Sequence, residues 1–366
     1  MSRPRGSHLR TPWRWAVVIV AIGALGGLPS AVALLPVRAS PVSTGVLLAK
    51  VRASAGVAWS GFGESRGTLD LPDVKQLGDL ASLVGGTTRA RAWWRGAHQF
   101  RIDALSLVGE TDVAEDIGGS WTWSSADRRA LRIQGALAVR LPRAGDLLAP
   151  VVGARLSRTR DVRASALPAR RVAGRAAAGL RLVPRHPNST TVDEVDLWAD
   201  PGTGLALRVE VRAGGRLALT SVLLDVDLAR PAAARTSFAP PRGVAAVTQD
   251  APDLAALVDR FSPYELPSSL AGLPRTDAVR GLGGGVATYG EGLGAFTLVP
   301  LPRNVGRDVS KALAASAGVV STPLVNALAV RDGRRTYLLA GTVPVVVLDR
   351  AALQLRRQPP PRREGA

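Results

Sequence analysis

Leu205-Ala206-Leu207-Arg208-Val209-Glu210-Val211 carries the alternation that decides the fold. Leu205, Leu207, Val209 and Val211 are expected on one side and Ala206, Arg208 and Glu210 on the other, the pattern of a half-buried antiparallel strand. Asp200-Pro201-Gly202-Thr203-Gly204 before it and Ala213-Gly214-Gly215 after it have turn composition. Further alternating runs flank these turns at 191–199 and 217–227. Upstream, strands are expected at 57–71, 88–95, 99–104, 110–117, 120–124, 130–133, 169–173 and 179–184. Gly96-Ala97, Gly118-Gly119 and Ala126-Asp127 supply short hairpin turns between several of them. Helical spacing replaces alternation at 43–54, behind a Ser43 or Thr44 cap. It recurs at Val74, Leu77, Leu80, Ala81 and Val84, and at Leu147, Leu148, Val151 and Val152. The expectation is one large antiparallel sheet with a few covering helices.

The alternation stops at Ala239-Pro240-Pro241-Arg242-Gly243, which puts a boundary near residue 246. The expected domains are therefore 39–245 and a smaller unit at 246–357, giving an α+β chain. In the smaller unit the patterns predict helices at 253–261 and 308–317, strands at 285–289, 295–300, 326–331 and 334–341, and a closing helix at 345–357. Residues 358–366, rich in Pro and Arg, read as a disordered tail.

Arg3, Arg5, Arg10 and Arg14 precede an uncharged run at 15–37, so residues 1–38 read as a secretion signal or an N-terminal membrane anchor. Cleavage at Ala31-Val32-Ala33 would remove the segment; uncleaved, it is long enough to cross a bilayer. Pro29 favours the first outcome, and Leu34 and Leu35 favour the second. Both place the rest of the chain outside the cytoplasm. The formal charge of +18 suits anionic partners. Its Arg residues are scattered among apolar positions, a distribution that fits a membrane surface and not nucleic acid. The absence of cysteine excludes disulfides, thiol chemistry and cysteine metal ligands.

An enzyme needs convergent acids, bases or nucleophiles, and the sequence supplies no such set. His98 and His186 stand beside predicted turns without an orienting partner, and Ser60-Gly61-Phe62-Gly63 lacks the flanks of a nucleophile elbow. Gly281, Gly283, Gly284, Gly285, Gly290, Gly292 and Gly294 lead into a strand-like segment, so they fit a hairpin; a dinucleotide loop must open a helix. Asn188-Ser189-Thr190 is a formal sequon and is read as a loop. Glu110, Asp112, Glu115 and Asp116 resemble a metal set, but Glu110 and Asp112 alternate with Thr111 and Val113 as a solvated strand face does. No enzyme activity, cofactor or metal is expected.

Every Trp beyond the export segment lies in the first domain: Trp59, Trp93, Trp94, Trp121, Trp123 and Trp198. They either fill a core between sheet and helices or line a hollow under a curved sheet, where an acyl chain would sit. The candidates for the hollow are Trp59, Phe62, Trp94, Phe100, Trp121, Trp123 and Trp198. Trp93 shares the face of Arg89, Arg91 and Arg95 and suits cation–π stacking instead.

Trp59-Ser60-Gly61-Phe62, Ala92-Trp93-Trp94-Arg95-Gly96, Phe100-Arg101-Ile102-Asp103 and Gly118-Gly119-Ser120-Trp121-Thr122-Trp123 are joined by the run from Val195 through Asp200-Pro201-Gly202-Thr203-Gly204 to Leu205. Together they resemble the LolA-like superfamily, and within it the RseB/MucB family of sigma-E regulators, over about residues 43–243. The resemblance implies a curved antiparallel half-barrel closed by helices, whose interior holds lipid or lipoprotein acyl chains, followed by a smaller C-terminal domain. It implies further an extracytoplasmic protein that senses envelope state and binds an anti-sigma factor in a sigma-factor pathway. The alternative is an envelope carrier of lipid or lipoprotein that works with a membrane transporter.

Overall fold

The computed structural model describes residues 37, 39–68, 85–107, 109–135, 142–253, 265–276, 285–301, 303–314, 318–332 and 335–357. The export segment apart from Val37, the expected helix at 74–84, nearly all of that at 253–261, Gly281, Gly283, Gly284 and the 358–366 tail lie outside the described residues. No helix among the described residues is long and apolar enough to cross a membrane.

The chain opens with helix α1 (Thr44–Ala53), whose cap is Ser43: its hydroxyl accepts the Val46 N–H. Strands β1 (Trp59–Gly67), β2 (Thr87–Gly96), β3 (Gln99–Ser106), β4 (Gly109–Asp116), β5 (Gly119–Ser124) and β6 (Arg129–Gln134) follow. Helix α2 (Ala149–Ser157) then precedes β7 (Val162–Val172), β8 (Arg175–Pro184), β9 (Val192–Ala199), β10 (Ala206–Ala213) and β11 (Arg216–Asp227). With β12 (Ala246–Asp250) they make one open sheet in the order β12-β6-β5-β4-β3-β2-β1-β11-β10-β9-β8-β7. All its pairings are antiparallel except β12 with β6, which is parallel. The sheet thus takes its last strand from residues past the expected end of the strand pattern. Strand β7 also begins seven residues before the expected 169, at Val162.

Strand β10 departs from its expected parity. A bulge lies between Ala206 and Arg208 against β9, and the inserted residue resets the alternation. Ala206, Val209 and Val211 consequently join one core cluster while Leu205 and Leu207 join another. The first cluster is dense: Leu180, Leu182, Val195 and Leu197 from β8 and β9 meet Leu47 and Val51 of α1 and Val152 of α2. Each such fully buried aliphatic side chain contributes roughly 1.5–3 kcal/mol. Gly153 lets α2 approach, since a Cβ there would lie 2.4 Å from that of Ala206.

The turn before β10 locks α1 in place. The Asp200 carboxylate accepts the Gly202 and Thr203 N–H groups at 3.1 and 2.9 Å, and Lys50 Nζ donates to the Pro201 carbonyl at 2.7 Å. Gly204 sits at φ +75°, with a hypothetical Cβ only 2.4 Å from the Lys50 backbone, so glycine is required there.

The smaller unit has a second sheet, in the order β13-β14-β15-β16-β19-β18-β17. Its strands are β13 (Ser269–Leu270), β14 (Leu273–Thr276), β15 (Ala287–Tyr289), β16 (Phe296–Leu301), β17 (Val319–Ser321), β18 (Asn326–Asp332) and β19 (Arg335–Gly341). Helix α3 (Arg303–Ala314) precedes β17, and α4 (Val345–Arg357) closes the chain. Leu348, Ala351, Ala352 and Leu355 form the buried stripe of α4 against Leu328, Val330 and Leu339. The glycines described after β15 form a hairpin turn into antiparallel β16, as expected. The two units meet at the start of β9: the Thr191 N–H donates to the Thr342 carbonyl at 2.8 Å, and the Thr190 hydroxyl to that of Leu293 at 2.7 Å. The sequon threonine is thereby buried in this seam.

Candidate functional site

A cavity of about 1240 Å³ opens between the β2–β5 part of the large sheet and the segment from residue 142 to α2. That exceeds the ~300–1,000 Å³ of a common small-molecule site. Cross-strand register decides which residues face it. Trp59 pairs with Trp94, Trp94 with Phe100, Phe100 with Glu115, and Ile102 with Val113, which pairs with Thr122. Directly opposed residues project to the same side of a sheet, so this whole set shares one face, and all of it borders the cavity.

Aromatic stacking builds one end of the wall. Trp94 stacks on Phe100 with ring centroids 4.7 Å apart and on Trp59 at 6.5 Å. Trp94 Nε1 donates to the Ala55 carbonyl at 3.1 Å, so the indole is anchored to the 3-10 turn after α1 and its polar edge is satisfied. Trp59 is fully buried beneath it. Ile102 and Val113 continue the apolar surface, and Pro150, Val151 and Ala154 supply the opposing wall from α2. The arrangement gives a slot whose sheet wall is apolar at Trp94, Phe100, Ile102 and Val113 and polar at Thr111, Glu115 and Thr122.

Trp59, Trp94 and Phe100, three of the sequence candidates, border this cavity. Phe62, Trp121, Trp123 and Trp198 do not: each sits at the other parity and faces the opposite side of the sheet. Phe62 pairs with Arg91, Trp123 with Asp112, and Trp198 with Arg208. Trp121 is capped by Phe238 at 5.5 Å and by the Arg132 guanidinium at 5.2 Å. Trp198 is buried under Arg170, 4.1 Å above its ring, with Nε1 donating to the Pro168 carbonyl. Trp93 meets Arg101 at 5.8 Å on this same outer face, the cation–π contact its arginine-rich parity implied. Ile102 and Val113 were missed as wall residues; register carried across the turns from Phe100 would have found both.

The acidic strand face is less solvated than expected. Asp112 is buried, not exposed. Arg101 bridges Asp103 and Asp112, each at 2.7 Å. Burial and the neighbouring Asp103 push the Asp112 carboxyl up to about 6, against the pull of Arg101. Asp103, Glu110 and Asp112 bring carboxylate oxygens within 4.8 Å of one another, but the guanidinium already supplies the compensating charge. Glu115, at the other parity, borders the cavity. At the β9–β10 turn, burial would raise Asp200, yet hydrogen bonds from Thr203 and Arg175 outweigh it and hold the carboxyl below the usual range.

No protein-family model matches the chain, and no curated protein matches it in sequence. Among solved structures it is similar to MucB, at 20% identity over 86% of this chain and 98% of that one, with a TM-score of 0.46. It is similar to the Pseudomonas aeruginosa MucA/MucB complex at 19% identity over 84% and 96%, again with a TM-score of 0.46. A LolA superfamily protein from Nitrosomonas europaea matches at 15% identity over 51% of this chain and 92% of its own, with a TM-score of 0.22. The likeness to RseB/MucB and LolA-type proteins expected from the motifs is thus found at low identity.

Proposed function

We propose that the chain is a non-enzymatic, extracytoplasmic protein that holds lipid, or the acyl chains of a lipoprotein, in the slot walled by Trp94, Phe100, Ile102 and Val113. The continuity of that apolar wall along one side of a large cavity carries the reading. Each methylene transferred from water into it contributes about 0.8 kcal/mol, so a long acyl chain binds tightly with no catalytic group. Occupancy of the slot then acts as the signal. The RseB-type motifs favour an anti-sigma factor as the protein that receives it, and the hydrogen-bonded seam at Thr190 and Thr191 supplies a route from the slot-bearing sheet to the smaller unit.

The full chain, purified from a bacterial host and extracted with organic solvent, is expected to yield about one equivalent of acyl lipid by mass spectrometry. Absence of co-purifying lipid, together with failure of added lipids to bind, overturns the reading.

A further inference from the structure

The cavity-bordering stripe of α2 changes character along its length. Pro150, Val151 and Ala154 come first, and Arg155 and Arg158 follow at the same helical spacing. Both arginines are exposed, and among the described residues neither forms an ion pair with an acid. Their placement is not explained by capping. Arg52 Nε already donates to the Ser157 carbonyl at 2.7 Å, while the Arg155 and Leu156 carbonyls accept the N–H groups of Arg158 and Thr159. Cations in a last helical turn do favour the helix dipole, but that effect does not select the one face that borders an apolar slot.

We propose that Arg155 and Arg158 bind the anionic, phosphate-bearing head of the lipid whose acyl chains fill the slot. The inference rests on the lipid-binding reading and adds the class of head group. Residues three apart on a helix are neighbours, so two guanidinium forks can converge on one tetrahedral group and each donate two hydrogen bonds. An apolar run ending in two cations matches a molecule with a hydrocarbon tail and an anionic head. The acids that border the cavity, Glu110, Glu115, Asp127 and Asp146, come from the sheet, its turn and the segment ahead of α2. The charged residues of the α2 stripe are both cations.

Native mass spectrometry of the full chain, released from maltoside micelles, separates the two ideas with three probes: dioctanoyl phosphatidylglycerol, dioctanoylglycerol and glycerol 3-phosphate. They present head and tails, tails alone, and head alone. The expected result is binding of the phospholipid about tenfold tighter than of dioctanoylglycerol, with no measurable binding of glycerol 3-phosphate. The double variant R155Q/R158Q should reduce the tenfold preference to under threefold without changing dioctanoylglycerol binding or Tm. R155K/R158K should keep part of the preference, because the charge remains but the fork geometry does not. In the wild-type chain the preference should also shrink as salt rises, a readout that holds even if a variant fails to fold. Equal binding of the two lipids, insensitive to salt and to both double variants, overturns the head-group assignment and leaves lipid binding intact. Failure of both lipids to bind overturns the lipid reading itself, and the head-group assignment with it. Tight binding of glycerol 3-phosphate alone also overturns the assignment, because the arginines would then serve a free phosphate.

Discussion

Val113→Asp is the sharpest probe of the slot. Val113 is 8% exposed, lies between Ile102 on β3 and Thr122 on β5, and borders the cavity. Asp is close to Val in volume, so the change alters polarity and leaves shape nearly untouched. An acyl chain passing over the position loses apolar contact worth about two methylenes, roughly 1.6 kcal/mol. It must also strip water from a carboxylate or force its protonation, which costs roughly a further 1–3 kcal/mol. The sum of about 3 kcal/mol corresponds to roughly a hundredfold weaker binding. The assay is titration of the full chain with dioctanoyl phosphatidylglycerol, read by native mass spectrometry, with thermal melting as a check on folding. Trp123→Ala, on the neighbouring strand but the opposite face, is the comparison and is expected to change binding less than threefold. Refutation would be a folded Val113→Asp protein that binds within threefold of wild type, or a Trp123→Ala protein that loses as much.

Trp59→Ala should cost about 3–5 kcal/mol of stability, because it empties a fully buried aromatic site; the denaturant midpoint measures it. Gly204→Ala should destabilise by about 2 kcal/mol or more, through positive φ and collision with the Lys50 backbone. Gly214→Ala, at φ +58° with open space around it, should cost about 1 kcal/mol by the same measurement. Asp112 is held protonated up to about 6 in the folded state but ionises from 3.8 when unfolded. Its contribution to stability is therefore full below 3.8 and is lost as pH rises to about 6. The Tm difference between wild type and Asp112→Asn should fall across that window, and a constant difference would contradict the assigned burial. Ala104→Leu combined with Thr122→Leu, both on the cavity face, should raise the Tm of the lipid-free chain and weaken lipid binding at least tenfold.

Strand existence was legible wherever apolar side chains alternate with polar ones, as in β9 and β11, and the closing helix was legible to its ends at 345 and 357. Strand β7 was half missed because Arg163, Ala164, Ser165 and Ala166 give alternation with no apolar amplitude. Strand β12 was missed because all five of its residues are exposed, so no buried face marks the sequence. At the site, alternation in Trp121-Thr122-Trp123 correctly puts both indoles on one face, yet a single strand does not reveal which face is concave. That choice follows from register through the β2–β3, β3–β4 and β4–β5 turns, and there it selects Thr122. Large aromatics drew attention to the outer face, where arginines and Phe238 cover them, and away from Ile102 and Val113.

Both halves of the sheet carry buried apolar clusters, but only one borders a cavity, and side-chain size accounts for the difference. Over β8 to β10 the helix-facing positions hold Leu180, Leu182, Val195, Leu197, Val209 and Val211, which fill the space under α1 and α2. Over β3 to β5 the corresponding face holds Ala104, Thr111, Thr122 and Ser124 alongside Phe100, Ile102 and Val113. Small and hydroxylated residues there cannot reach across to α2, whose own facing positions are Pro150, Val151 and Ala154. A folding chain gains nothing from leaving such a volume unfilled, since each lost contact forgoes dispersion and burial energy. On the proposed function, a ligand in the cavity restores those contacts when it binds. Stability and occupancy are then linked: a ligand that binds only the folded state raises Tm by mass action.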